Sequence, residues 1–545
     1  MMFDHPLKSV VKCPFLSAAH IGTAPPPTLQ AAAETVRLMT AQVDGFQASN
    51  IDNGFVKGNF LPLQEERCGA ACSFGRVIFT TFAGSTPTCR LKARSRRIWT
   101  EWSCCAALSV HLLSFLPDVL LSWVICACFF AHSLRQFMRN GANMRFESTG
   151  KVHMFDGDAM LHCFRFKNGR VLAYANTWIR SKRFKNNDSM QKEVYPSVGD
   201  LSTGGLSIAK KMGRIQLAMR SGMIPHLPDN MRGSPSTSTV FVGGKLYAVV
   251  EVSPPFRIAV DPLSCAVSSG DYNDFQGRVR EFSAHSKVSP DTGELHFAAA
   301  DHITAACPSG VIDMTYGVVA ASGELTRIFK FPLSFPGPAY LHDYFVTKNF
   351  CVVIDHSVRY NISRIAQGSI FHWMPTQPLR FGLISRKDDS PVRWFDTGAP
   401  GFVWHVLAGW EHGSSVVLWL PIFESYPESI PIHLPCEPPS HLTRVVLDLD
   451  SGLIRSREKF MLECAVERCD VNRQHFGSEQ RWGYLMKRSH HHPMYDGFVK
   501  FDLKHAAVNA VVEYGDGCLG GECFFIPKST AASAPEDAGW LVDIV

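Results

Sequence analysis

From residue 137 onward the chain keeps one texture: short runs of β-branched and aromatic residues, broken by Gly, Pro, Asn and Asp. GRVLAYANTWIR (169–180), STVFVGGKLYAVVEV (238–252), FCVVIDHSV (350–358) and SSVVLWLPIF (414–423) are examples. Such runs suit strands, because branched and aromatic side chains pack well on a pleated surface. STVFVGGKLYAVVEV reads as a hairpin about Gly243-Gly244, since tight hairpin turns need positive φ, which glycine supplies. Few stretches beyond 150 carry a 3.6-residue period, and the one exception, 204–220, is ambiguous between helix and strand. Many short strands without long helices predict an all-β, closed architecture such as a propeller or barrel. No exact internal repeat fixes a blade number.

Three histidines stand in long, distinctive phrases within this β region. His285 lies in FSAHSKVSPDTGEL (282–295), His342 in YLHDYFVTKN (340–349) and His405 in RFGLISRKDDSPVRWFDTGAPGFVWH (380–405). Separated by 57 and 63 residues, they cannot share one helix. They must converge from separate strands or loops, as the ligands of a folded metal site do. Neutral imidazole is a borderline donor that suits Fe, Cu, Zn or Ni.

Composition excludes several classes. Net charge is only +5 and no basic stripe is interleaved with aromatics, so no nucleic-acid partner is expected. Ten of the 17 cysteines are scattered, as free thiols of a reducing compartment would be. No charged segment followed by an apolar run opens the chain, so a secretory signal is not expected, and an organelle transit peptide stays open.

Residues 1–53 read as a flexible lead with a short amphipathic helix, and 54–66 (GFVKGNFLPLQEE) as an extended opening segment. Residues 67–136 break the texture. They hold seven cysteines, eight Lys/Arg against two acids, and the apolar run CCAALSVHLLSFLPDVLLSWVICACFFA (104–131). That run is long enough to span a bilayer, yet His111 and Pro117-Asp118 interrupt it where charge is expensive. A membrane helix, an inserted hairpin or buried segment, and translated non-coding sequence are the three readings of this atypical insertion. Cys68-x3-Cys72 and Cys126-x-Cys128 lack a second well-spaced pair, so zinc is not read from them.

FMRNGANMRF (137–146) and GKVHMFDGDAMLHCFRFKNGRVLAYANTWIRSKRF (150–184) resemble the carotenoid cleavage oxygenases, most closely the plant-type dioxygenases. Ala142 stands for the family's proline and Ala159 for its glycine. GNFLPLQEE (58–66), the three histidine phrases, EQRWGYLM (479–486), FVKFDLKH (498–505), GGECFFIPKS (520–529) and PEDAGWL (535–541) continue the match in order.

The resemblance implies a seven-bladed β-propeller over 137–545 with Fe(II) on its axis. It implies His285, His342 and His405 as metal ligands. It also implies Glu251, Glu467 and Glu522 as the carboxylates behind them, with Glu467 in weaker context because Arg468-Cys469 replaces a Phe-Pro pair. The family's last histidine phrase has no match before Val545. On that basis the last blade is expected to be incomplete, one glutamate to lack its histidine and to protonate or find water, and the protein to be poorly active and poorly stable. The implied reaction is cleavage of a carotenoid or apocarotenoid double bond by Fe(II) and O2 to two carbonyls. Alternatives are a stilbene-cleaving or isomerising relative and a vestigial carotenoid-binding protein. The resemblance further implies peripheral membrane association and a plastid or cytoplasmic location. Phe155, Phe371, Trp404 and Trp410 are candidates for an apolar tunnel. His162 and His153 read as structural, and His490, His491 and His492 as a solvated loop.

Overall fold

The computed structural model describes residues 51–52, 55–56, 77–82, 89–90, 135–147, 155–167, 170–196, 200, 205–228, 231–300, 313–332, 340–360, 371–426, 438–489, 494–531 and 533–545. It is an all-β propeller. Six consecutive stretches of chain each fold into an antiparallel sheet, over 135–178, 238–272, 287–332, 345–396, 408–460 and 466–513. A further sheet joins distant parts of the chain. There Gly539–Ile544 pairs on one side with Phe524–Pro527 and on the other with Val77–Phe82. Against the expectation of an incomplete last blade, its final strand is paired on both sides, on one of them by residues from the atypical insertion. Cys89–Arg90, also from that insertion, pairs parallel to Ala507–Glu513. The apolar run 104–131 lies outside the described residues. Among those described, no helix is long and apolar enough to cross a membrane.

The sheets show a radial gradient of burial. Ser415–Phe423, an inner strand of its sheet, is almost wholly buried, whereas the outermost strand of that sheet, Ile454–Phe460, is not. An inner strand is covered on both faces by neighbouring sheets, so it needs apolar residues throughout. An outer strand meets water and carries charge, which also discourages edge-to-edge association. One inter-sheet layer packs Phe345, Val352, Phe381 and Leu383 against Val416, Leu418, Val445 and Leu447. Burying each such side chain stabilises the fold by about 1.5–3 kcal/mol before chain entropy is charged against it.

The Gly243-Gly244 hairpin forms as expected, with φ of 58° and 68° at the two glycines. Gly317 matters for a different reason. A Cβ there would sit 2.2 Å from Cζ of Phe297, its partner across the ladder. The ambiguous stretch resolves as an α-helix, Gly205–Arg220. A second helix, Lys182–Met190, is absent from the sequence reading. It is polar, with Ser181 capping its start by accepting from the Phe184 amide at 3.2 Å.

Candidate metal centre

Each of the three histidines sits two or three residues before the first strand of a four-stranded sheet. His285 precedes Lys287–Val288, His342 precedes Phe345–Val346, and His405 precedes Ala408–His412. The same position on three successive sheets turns sequence separations of 57 and 63 residues into one cluster. The Nε2 atoms of His285 and His342 are 3.0 Å apart, and those of His342 and His405 are 3.1 Å apart. The rings are nearly perpendicular to one another, at 72°, 80° and 88°.

This geometry fits a cation. Two imidazole nitrogens about 2.1 Å from one ion and at right angles would be about 3.0 Å apart. Proton placement agrees. His342 Nδ1 donates to Glu251, and His405 Nδ1 donates to Glu467 Oε2 at 2.5 Å. A carboxylate accepts only, so each Nδ1 carries a proton and each Nε2 is the ring nitrogen turned inward, available to a cation. Two Nε2 atoms 3.1 Å apart need a positive charge between them, either a shared proton or a bound cation.

Electrostatics follow from these contacts. Burial holds His285 well below the usual histidine range, and the other two histidines push the same way, so it offers a free lone pair. Burial alone would raise the Glu251 carboxyl. The charge and hydrogen bond of His342 outweigh it and bring the group down to about 2. Tyr340 also donates its hydroxyl to Glu251, at 3.1 Å. Burial would lower His405, but Glu467 outweighs it and holds the ring above its ordinary value. Glu467 accepts three N–H groups: the His405 ring, the His405 amide at 3.2 Å and the Arg468 amide at 2.6 Å.

Glu522 differs from the other two glutamates. Its carboxylate accepts from Arg468 Nη1, with Arg139 Nη2 3.9 Å away. These guanidinium groups outweigh the burial that would raise it and hold the carboxyl far below the usual range. The expectation of a partnerless glutamate that takes up a proton is thereby corrected: Arg468 supplies the counter-charge.

An aromatic wall adjoins the cluster. Trp404 stands edge-on to His342 with ring centres 5.2 Å apart, and it touches Tyr340, Phe402 and Tyr426. Phe155, partly exposed, packs on Trp404. Trp410 belongs to a different core layer with Trp419 and Leu485, so it is core and not wall. Nothing is described for the Phe371 side chain, and His153 and His490, His491 and His492 lie outside the described residues. His162 is structural, with Nδ1 2.8 Å from the Tyr174 hydroxyl. The sequence reading missed Tyr340, although it lies two residues from His342, and missed Phe402, which shares the GFVWH phrase.

Fold and site together define a β-propeller with a histidine cluster backed by carboxylates. Residues 136–545 match the family described as retinal pigment epithelial membrane protein, and the chain belongs to that family. It is 26% identical over 434 residues to a carotenoid 9,10(9',10')-cleavage dioxygenase 1 of Pisum sativum, covering 75% of this chain and 76% of the pea protein. It is 27% identical over 433 residues to a probable chloroplastic carotenoid cleavage dioxygenase 4 of Arabidopsis thaliana, covering 75% and 68%. Among solved structures, the lignostilbene dioxygenase of Pseudomonas brassicacearum superposes with a TM-score of 0.62 at 20% identity, covering 77% of this chain and 83% of that one. Cobalt-substituted Synechocystis ACO superposes with a TM-score of 0.59 at 20% identity, covering 78% and 89%. At such identity these two likenesses concern the fold.

Proposed function

We propose that this chain is an iron-dependent oxygenase that cleaves a double bond of a carotenoid or apocarotenoid with O2. The observation that carries the reading is the convergence of three Nε2 lone pairs, two of them backed by carboxylates, beside an aromatic wall. A polyene offers no acidic proton or polar handle, so side-chain acid–base catalysis has nothing to act on. His285, His342 and His405 would hold iron(II), which would supply the capacity to activate dioxygen.

The protein's own residues do the rest. Glu251 and Glu467 fix the tautomer and orientation of His342 and His405. Trp404, Tyr340 and Phe402 exclude water and give a flat apolar polyene a surface to lie against, which selects the bond presented to the site. In the balanced reaction one C=C bond and one O2 become two C=O groups. In this reading the sheet of Val77–Phe82, Phe524–Pro527 and Gly539–Ile544 counts as the seventh blade, with the metal on the axis. The chloroplastic relatives support a plastid location.

The test is product analysis by chromatography and mass spectrometry after iron-loaded protein meets a panel of carotenoids and apocarotenoids under O2. Aldehyde or ketone products carrying oxygen from labelled O2 are expected. Bound pigment without carbonyl product would refute cleavage and leave a pigment-binding protein.

A further inference from the structure

Three glutamates surround the histidine cluster, and they are not neutralised alike. Glu251 and Glu467 are each matched by a ring N–H of a histidine. Glu522 is matched by Arg468, whose Nη1 donates to Oε1. Arg468 is held in turn, since its Nε donates to the Tyr495 hydroxyl at 3.0 Å.

The backbone explains how Arg468 reaches the site. In a regular strand, successive side chains point to opposite faces, so Glu467 and residue 468 would be separated by the sheet. The ladder between Val466–Val471 and Trp482–Arg488 instead shifts register between Glu467 and Cys469. Arg468 is the extra residue of that bulge, with φ of 47°. Bulges re-aim side chains in this way, and they cluster beside functional sites. The result is that one residue holds two carboxylates. Its amide donates to Glu467 Oε2 at 2.6 Å while its guanidinium takes Glu522. Both Arg468 and Glu522 act electrostatically on His405, with opposite signs.

We propose that Arg468 is a positioning residue of the metal centre: by pairing with Glu522 it cancels the one carboxylate that no described histidine matches, and so sets how tightly the three histidines hold a divalent cation. This rests on the metal-centre reading above. The consequence is a counter-intuitive sign. A residue that merely supported the fold would, when removed, loosen the site. Removing Arg468 instead leaves the Glu522 charge offset only by the more distant Arg139 guanidinium, 3.9 Å away, beside the cation, which tightens binding.

The experiment is Co(II) titration of the full chain against a competing chelator, followed by d–d absorption, for wild type, R468Q, E522Q, R468Q/E522Q and R468K. Removing one unit charge near a dication in a partly buried site is expected to make R468Q bind Co(II) about tenfold more tightly. E522Q should bind more weakly, because Arg468 then stands unpaired. The double variant should return close to wild type, and R468K should stay close to it. The thermal midpoint of metal-free protein should fall in each single neutral variant and recover in the double variant. Unchanged or weaker binding in R468Q, or a double variant that binds Co(II) as tightly as R468Q, would overturn the proposal. If R468Q does not fold, weaker binding in E522Q with near-normal R468K supports it, and unchanged E522Q overturns it. Wild-type protein that binds no Co(II) would instead bring down the metal-centre reading itself.

Discussion

Glu251 gives the sharpest test of the cluster as a cation site. Its carboxylate accepts from His342 Nδ1 and from the Tyr340 hydroxyl at 3.1 Å, and the residue is only 5% exposed. Glu251→Gln keeps the size and one acceptor oxygen but removes the charge. Adding the hydrogen bond, the width of the ring and the metal–nitrogen bond places the carboxylate about 6.5 Å from a dication on Nε2. At an effective dielectric constant of about 20, the attraction is about 5 kcal/mol, which is a ceiling. The glutamine dipole keeps part of it and solvent screens part. Outer carboxylates of this kind are worth about 10–100-fold in metal affinity, or about 1.4–2.7 kcal/mol. Glu251→Gln should therefore weaken Co(II) or Fe(II) binding within that range, measured by chelator competition, with the metal-free thermal midpoint followed alongside. The change is opposite in direction to that expected for R468Q, although both remove a charged group near the site. Unchanged affinity in a folded Glu251→Gln protein would refute the argument that this carboxylate orients and charges a metal ligand.

Other outcomes follow from the same contacts. His405→Ala removes one of three donors and leaves Glu467 buried without its ring partner, so metal affinity should fall by more than about 100-fold, and the metal-free protein should lose about 2 kcal/mol or more. His296 is buried and brought down to about 3 by burial and by Arg386, and burial likewise lowers His162 and His356 to about 4. The unfolded chain takes up protons near 6.5 that the folded chain refuses. Their contribution is thus complete above pH 6.5 and is lost as pH falls toward 3–4, at up to about 1.4 kcal/mol per pH unit for each group. Urea unfolding between pH 7 and 5 should show that slope, and His296→Gln should flatten it. Gly317→Ala drives a methyl group into the Phe297 ring and should cost about 1–3 kcal/mol, while Gly244→Ala meets no neighbour and should cost only the strain of positive φ.

Much of the architecture was legible in order and local character. Strands recur where branched and aromatic runs lie between turn residues, because a strand buried on both faces has no other composition open to it. The Gly243-Gly244 hairpin was legible because turn chemistry is local. The Lys182–Met190 helix was not, since its sequence, KRFKNNDSM, is mostly polar and the helix rests on its cap and on tertiary contacts of Phe184. The insertion's strand, Val77–Phe82, was hidden too, because the longer of its two pairings is with Gly539–Ile544, more than 450 residues away in the chain.

What the sequence alone determined was the set of groups: three imidazoles and three carboxylates in distinctive phrases, and a β texture able to carry them. Side-chain chemistry and local pattern are properties of short stretches, so they can be read in one dimension. What only the tertiary structure decided was the pairing. It put Nε2 atoms 3.0 and 3.1 Å apart, gave Glu251 and Glu467 to His342 and His405, and turned Arg468 toward Glu522 through a bulge. Distances, proton positions and charge compensation depend on which segments meet in space, and that is fixed by the closing of the sheets around a common centre.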